Sequence, residues 1–245
     1  MPASAAAAEA TIRICQQAAE LNRAHPQRRG CVVELTAEAA DDILITADIH
    51  GHRLNFKRVV ELADLAKRTR RHLLVQEVCH GGPQYPGGGC MSHLLLEDVA
   101  QLIVEFPGRV HFLLSNHELS ELTDIPIMKS RRVLNLNFRC GIQEMYGLAA
   151  EEVRTAYQSL IASLPLAVRL PQRIFVSHSL PEKVDSEGFD ASLLNRDLTR
   201  ADLQAGGAAY RLVWGRDFRL ANAEAFAQAV VDAGLRFGPG AIEAR

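Results

Sequence analysis

An α/β fold is predicted by two features of the chain. Short apolar runs that end abruptly in polar, glycine-containing turns alternate with longer segments of helical periodicity. Four of those runs also close on a carboxylate, an imidazole or an amide, and in open α/β sheets ligands bind beyond the carboxyl ends of the strands. The clearest instance is ILITADIHGH at 43–52. Residues 43–47 read as a buried strand, with Asp48 and His50 directly after it. In extended backbone, residues two apart point to the same side, so a carboxylate and an imidazole leave the strand end together while Gly51 lets the chain bend away. The pair suits a metal bound through oxygen and nitrogen. A plain turn with Asp48 capping the next helix would have the same local pattern.

Composition bounds the problem. The chain has 245 residues, 48% hydrophobic and 23% charged, which suits one domain over 1–245 with a single large core and a helical extension over 1–30. A net charge of -2 supplies no basic field for nucleic acid. No apolar run approaches the length of a membrane-spanning helix, so no membrane partner is expected. The opening MPASAAAAEA has neither a basic region nor a sustained apolar one, so it is not read as a signal peptide. Five cysteines, at 15, 31, 79, 90 and 140, read as reduced thiols of a cytoplasmic protein.

Taken in order, residues 3–22 have helical spacing, and 31–35 read as a strand lying near the 43–47 strand. An amphipathic helix is expected over 55–70, with Phe56, Val59, Val60, Leu62, Ala63 and Ala66 inward. The basic cluster 67–71 would then complement its dipole or receive phosphate. Residues 73–75 form a second strand ending at Gln76 and Glu77, followed by the loop CHGGPQYPGGGCMSH. Its Cys79, His80, Cys90 and His93 offer a structural zinc site, though at no regular spacing. A helix over 94–106 leads to the strand RVHFLL at 109–114 and then Ser115-Asn116-His117-Glu118, where Ser115 and Glu118 fit a capping box that needs neither Asn116 nor His117. Residues 123–147 read as less regular and 151–164 as a helix. Residues 166–170 and 173–176 form a hairpin that ends at His178. A polar linker over 185–207, a Trp-Gly-Arg216-Asp217 segment, a helix over 221–233 and an atypical tail over 234–245 complete the chain.

Asp48 with His50, Glu77, Asn116 with His117, and His178 thus all stand at strand ends, and their donors suit a pair of divalent transition metals. The motifs resemble those of calcineurin-like metallophosphoesterases, on the phosphoprotein phosphatase-like branch. The family pattern is Gly-Asp-x-His-Gly, Gly-Asp-x-x-Asp-Arg-Gly, Gly-Asn-His-Glu, a strand-end histidine and Gly-His. Ala-Asp48-Ile-His50-Gly51 and Ser-Asn116-His117-Glu118 carry the likeness. The resemblance implies a two-sheet β-sandwich flanked by helices (α/β/β/α) and two divalent metal ions, Mn, Fe or Zn. It also implies hydrolysis of a phosphomonoester, on a protein or a small molecule, by attack of a metal-bound hydroxide. On that pattern Asp48 and His50 would hold the first metal, Glu77 would bridge, and Asn116 and His178 would hold the second. His117 would protonate the leaving oxygen, and Arg216 would contact phosphate unless it pairs with Asp217.

The departures matter as much. Glu77 replaces an aspartate, His80 stands where a carboxylate orients His117, and Gly81 replaces an arginine. No histidine follows His178, and the tail reads as truncated or altered, so the second metal site is expected to be weak and activity impaired. The rivals are a catalytically impaired or dead relative that binds a phosphorylated partner or acts as a scaffold, and a nucleotide or dinucleoside-polyphosphate hydrolase.

Overall fold

The computed structural model describes residues 2–129, 131–171, 174–184 and 189–233. The expectations for the tail 234–245 lie outside the described residues. Helix α1 (Ala5–Arg23) is capped by Ser4 and buries Ala8, Cys15, Ala18 and Ala19. A ribbon of β1 (Arg28–Arg29) and β2 (Val32–Glu34) follows, then β3 (Asp42–Asp48), α2 (Arg53–Ala63), β4 (Arg71–Gln76), α3 (Ser92–Glu105), β5 (Val110–Phe112) and α4 (Asn116–Thr123). After the hairpin β6 (Met128–Lys129) and β7 (Arg132–Val133) come α5 (Leu134–Tyr146), α6 (Ala150–Ile161), β8 (Ala167–Leu170) and β9 (Ile174–Ser177). Short helices α7 (Arg200–Leu203) and α8 (Ala208–Trp214) precede α9 (Leu220–Asp232).

Besides the β6–β7 hairpin, the described residues form two sheets, one ordered β3-β4-β5 and all parallel, the other ordered β1-β2-β8-β9. Strand β2 runs parallel to β8, and β8 antiparallel to β9. Side-chain alternation along each strand builds the layers. Leu73 and Val75 of β4, Val32 of β2 and Ala167 of β8 face the main core, to which the helices contribute. Leu74, Val33 and Val168 turn the other way and meet, with Leu35 and Leu113, in a second core between the sheets. The mixed α/β sandwich flanked by helices is therefore the observed fold.

Several local expectations change. The 31–35 strand joins β8, not the 43–47 strand. Strand β3 lies at the edge of its sheet, and its Ile45 is 42% exposed. Helix α2 stops at Asp64, which takes a left-handed cap (φ 45°) and returns its N–H to Val60. Leu62 and Ala66 are consequently exposed. The basic cluster lies past the end of the helix, and two of its arginines are paired beside the start of β3: Arg70 with Asp41 and Arg71 with Asp42, at 2.7 and 2.6 Å. The 123–147 stretch contains the 13-residue α5. The polar linker carries buried Leu193 and Leu194 in a 3-10 turn, then α7 with a Thr199–Asp202 capping box.

Candidate metal centre

The site is built from two interlocked turns. Strand β3 carries a bulge between Ile45 and Asp48, which re-aims the strand end. His50 then turns left-handed (φ 51°), and Glu77 does the same (φ 47°) after β4. Asp48 and His50 converge through a turn, then, and not through the pleat of an extended strand; their Oδ2 and Nε2 lie 3.8 Å apart. Non-glycine residues held there cost on the order of 1–3 kcal/mol, a strain that persists when the surroundings over-determine it. Here the carbonyl of Glu77 accepts both Ile49 N–H and His50 N–H, at 3.1 and 2.9 Å. Glycines allow the two loops to touch: a Cβ on Gly51 would stand 2.5 Å from Gly81 O, and one on Gly81 2.8 Å from His50 O.

Glu77, 5% exposed, is the centre of the cluster. Its Oε1 lies 3.2 Å from His50 Nδ1, 3.0 Å from His80 Nε2 and 3.8 Å from His117 Nε2. Its Oε2 lies 3.1 Å from His178 Nε2. Two potential ion-binding groups share it, His50–Glu77–His80 and Asp48–Glu77–His178. Asn116 Oδ1 is 2.8 Å from His178 Nε2. The fold thus gathers Asp48, His50, Glu77, Asn116 and His178, but Asp48 groups with His178 while His50 groups with His80. His80 Nε2 is 2.6 Å from His50 Nδ1. Toward His117 it stacks, with ring centroids 3.5 Å apart, where the sequence suggested an orienting hydrogen bond.

The donor chemistry fits divalent cations, and Gln76 supplies a specific reason. Its Nε2 donates to Thr46 O (2.7 Å), which turns its Oε1 to His178 Nδ1 at 3.1 Å. His178 Nδ1–H then faces the Gln76 carbonyl, and Nε2 points between the oxygens of Asn116 and Glu77, where it donates a proton in the metal-free chain and would offer its lone pair to an ion. A ring nitrogen aimed at two oxygens calls for a positive centre between them, a proton or a metal. Electrostatics agree. Burial opposes the charge of Glu77, but hydrogen bonds from His178 and His80 and the neighbouring imidazoles outweigh it and hold the carboxyl well below its usual range. Burial, then the charges of His80, lower His50, against the pull of Glu77 and Asp48. Burial, reinforced by His80 and opposed by Glu77, brings His117 down to about 3.

Glu118, buried beside the site, was not singled out in the sequence for what it does. The capping box does not form: Ser115 makes no side-chain bond to the helix backbone and instead donates to Glu118. The other carboxylate oxygen accepts Val78 N–H and Cys79 N–H at 2.9 and 2.8 Å, fastening the loop behind Glu77. Its pKa is raised by burial and by Glu77. The zinc alternative is not built either. Cys90 donates to Gly81 O, His93 lies between Glu97 and Tyr85, and burial raises Cys79 well above the usual thiol range. Arg216 does not pair with Asp217, which binds Arg219. Its guanidinium donates to Gly215 O at 2.7 Å and reaches Ser179 Oγ at 3.4 Å, one residue past His178. A cavity of about 300 Å³ opens on the opposite side, past His50 and His80.

The fold is shared with phosphatases of known structure, and the strand-end motifs keep their resemblance to those of phosphoprotein phosphatase-like metallophosphoesterases. In sequence, the chain is 25% identical over 161 residues to a probable serine/threonine-protein phosphatase of Encephalitozoon cuniculi, covering 64% of this chain and 31% of that one. In structure, it matches a protein serine/threonine phosphatase from Saccharomyces cerevisiae with similarity to human phosphatase PP5, at a TM-score of 0.59 and 19% identity over 84% of this chain and 58% of the other. A cold-active protein-tyrosine phosphatase of a psychrophilic Shewanella aligns at a TM-score of 0.50 and 14% identity, over 85% of this chain and 66% of its own. No protein-family model matches. The chain spans about a third of the length of the curated relative it matches. No helix among the described residues is long and apolar enough to cross a membrane.

Proposed function

We propose that the chain is a metal-dependent phosphatase acting on phosphomonoesters of proteins. The observation that carries this reading is the buried carboxylate of Glu77 shared between two donor groups at strand ends. His50, Glu77 and His80 would hold one ion, and Asp48, Glu77, Asn116 and His178 the other. Bound divalent metals, Mn, Fe or Zn, supply water activation and neutralisation of phosphoryl charge. Gln76 orients His178, Glu118 holds the loop of Glu77, and the left-handed turns keep the donors converged without side-chain rearrangement.

His117 is the candidate proton donor to the leaving oxygen. Its burial holds the free ring neutral, so the donating imidazolium is reached at a cost, and poor leaving groups are expected to react slowly. That observation also supports a second reading, an impaired relative that binds phosphorylated ligands with little turnover. Metal titration of the whole chain by calorimetry tests the main reading. Glu77→Ala is expected to abolish tight binding at both sites and turnover of a phosphopeptide with it. Undiminished metal content in Glu77→Ala would overturn the assignment. Full metal binding and phosphopeptide binding with no turnover in the unmodified chain would select the impaired reading.

A further inference from the structure

We propose that Lys129 receives the phosphoryl oxygens of the substrate, an assignment that rests on the phosphatase reading above. The cavity beside the His50–Glu77–His80 group is lined by His50, His52, His80, Gln84, Lys129 and Asn137, with Gly81, Gly82, Cys90 and Leu134 completing it. Among the described lining residues there is no Asp or Glu, and Lys129 is the one Lys or Arg.

The wall nearest the donor atoms cannot provide a cation of its own. Gly81 and Gly82 hold left-handed backbone, φ 78° and 71°, and a Cβ on either would run into backbone, His50 O at 2.8 Å or Gly51 O at 2.5 Å. A side chain at these positions would force the loops that carry His50 and Glu77 apart. A cation at this wall has to reach in from elsewhere, and the β6–β7 hairpin brings Lys129 to the lining. Arg132, in the second strand of that hairpin, donates to Gln84 Oε1 at 3.4 Å, so the Gln84 amide NH₂ offers a further donor to the cavity. One ammonium, amide donors and no carboxylate make a wall that suits a tetrahedral oxyanion, with the lysine acting as a mobile point charge.

The test is calorimetric titration of inorganic phosphate into the Mn²⁺-loaded full chain. Lys129 is exposed, so Lys129→Met should fold and keep its metal stoichiometry while binding phosphate about 10-fold or more weakly, the scale of a lost charge-assisted hydrogen bond. Lys129→Arg should stay within about 3-fold of the parent. Lys67→Met, which removes a lysine paired with Asp64 beyond α2, should change nothing. Equal phosphate affinity in Lys129→Met and the parent, with binding lost on removing Mn²⁺, would sink the lysine assignment and leave the phosphatase reading standing. Phosphate binding that is absent from the parent would overturn both.

Discussion

Gln76 shows how much of this centre depends on residues that are not ligands. Its amide is fixed by Thr46 O and in turn fixes the His178 ring. Outer partners of metal ligands typically tune affinity by 10–100-fold. Gln76→Leu is accordingly expected to weaken the ion held by Asp48, Glu77 and His178 by about that factor. The ion at His50 and His80 should be unaffected, because neither ring touches Gln76. Two resolved binding steps in a calorimetric titration would separate the cases; equal weakening of both steps would mean that Gln76 supports the sheet and not one ligand. Glu118 is a second such residue, recognisable in sequence only as half of a capping box, because its true partners are the backbone amides of Val78 and Cys79, about forty residues away.

Strands β3 and β4 carry the two site turns yet sit in opposite environments. Leu74, central in its sheet, is fully buried between the layers, whereas Ile45 on the edge strand is 42% exposed. Their substitutions should diverge accordingly. Ile45→Lys is expected to change unfolding free energy by no more than about 0.5 kcal/mol, and Leu74→Ala to cost about 2–5 kcal/mol through lost burial and a cavity. Urea unfolding of the two variants checks this directly. A large loss in Ile45→Lys would mean that the edge is covered by chain not described here or by another molecule. The periodicity of 43–47 could not distinguish the two strands, since an apolar run of five reads alike at the centre and the edge of a sheet.

The molecule as a whole should be acid-sensitive. His72 and His111 hydrogen-bond at 2.8 Å inside the fold, and His25 packs against His111. Burial, first among the causes, lowers all three, and it brings His117 down to about 3. The unfolded chain takes up protons near 6.5 while the folded one resists, so this contribution is complete above about 6.5 and is lost as pH falls through the lowered values. Glu121 runs the other way. Burial, only partly offset by Arg139, raises it to about 7, so its contribution is present below the ordinary glutamate range and is lost as pH rises through about 7. The imidazoles outnumber the raised carboxyls of Glu121 and Glu118, so the urea midpoint of chelator-treated protein should fall between pH 7 and 5. Glu121→Gln should steepen that fall, since it removes an opposing group. A midpoint that is flat or rising toward acid in the parent would contradict the burial of these histidines.

Local chemistry was readable in the chain alone. Alternating apolar runs and helical periods, each run closing on glycine and a ligand-type residue, identified the α/β class, four strand ends and the residues that gather there. Periodicity reports which face of an element is apolar, and a glycine reports where the backbone must turn. Neither reports which distant segment will lie alongside. Hence the partner of β2, found more than 130 residues on in β8, the edge position of β3 and the end of α2 at Asp64 emerged only on folding. The same holds at the centre itself. The chain named Asp48, His50, Glu77 and His178, but their division into two groups follows from the left-handed backbone of His50 and Glu77 and from the carbonyl of Glu77 that binds the two turns together. Those contacts join strands about thirty residues apart, and their geometry is set by packing, which no local pattern encodes.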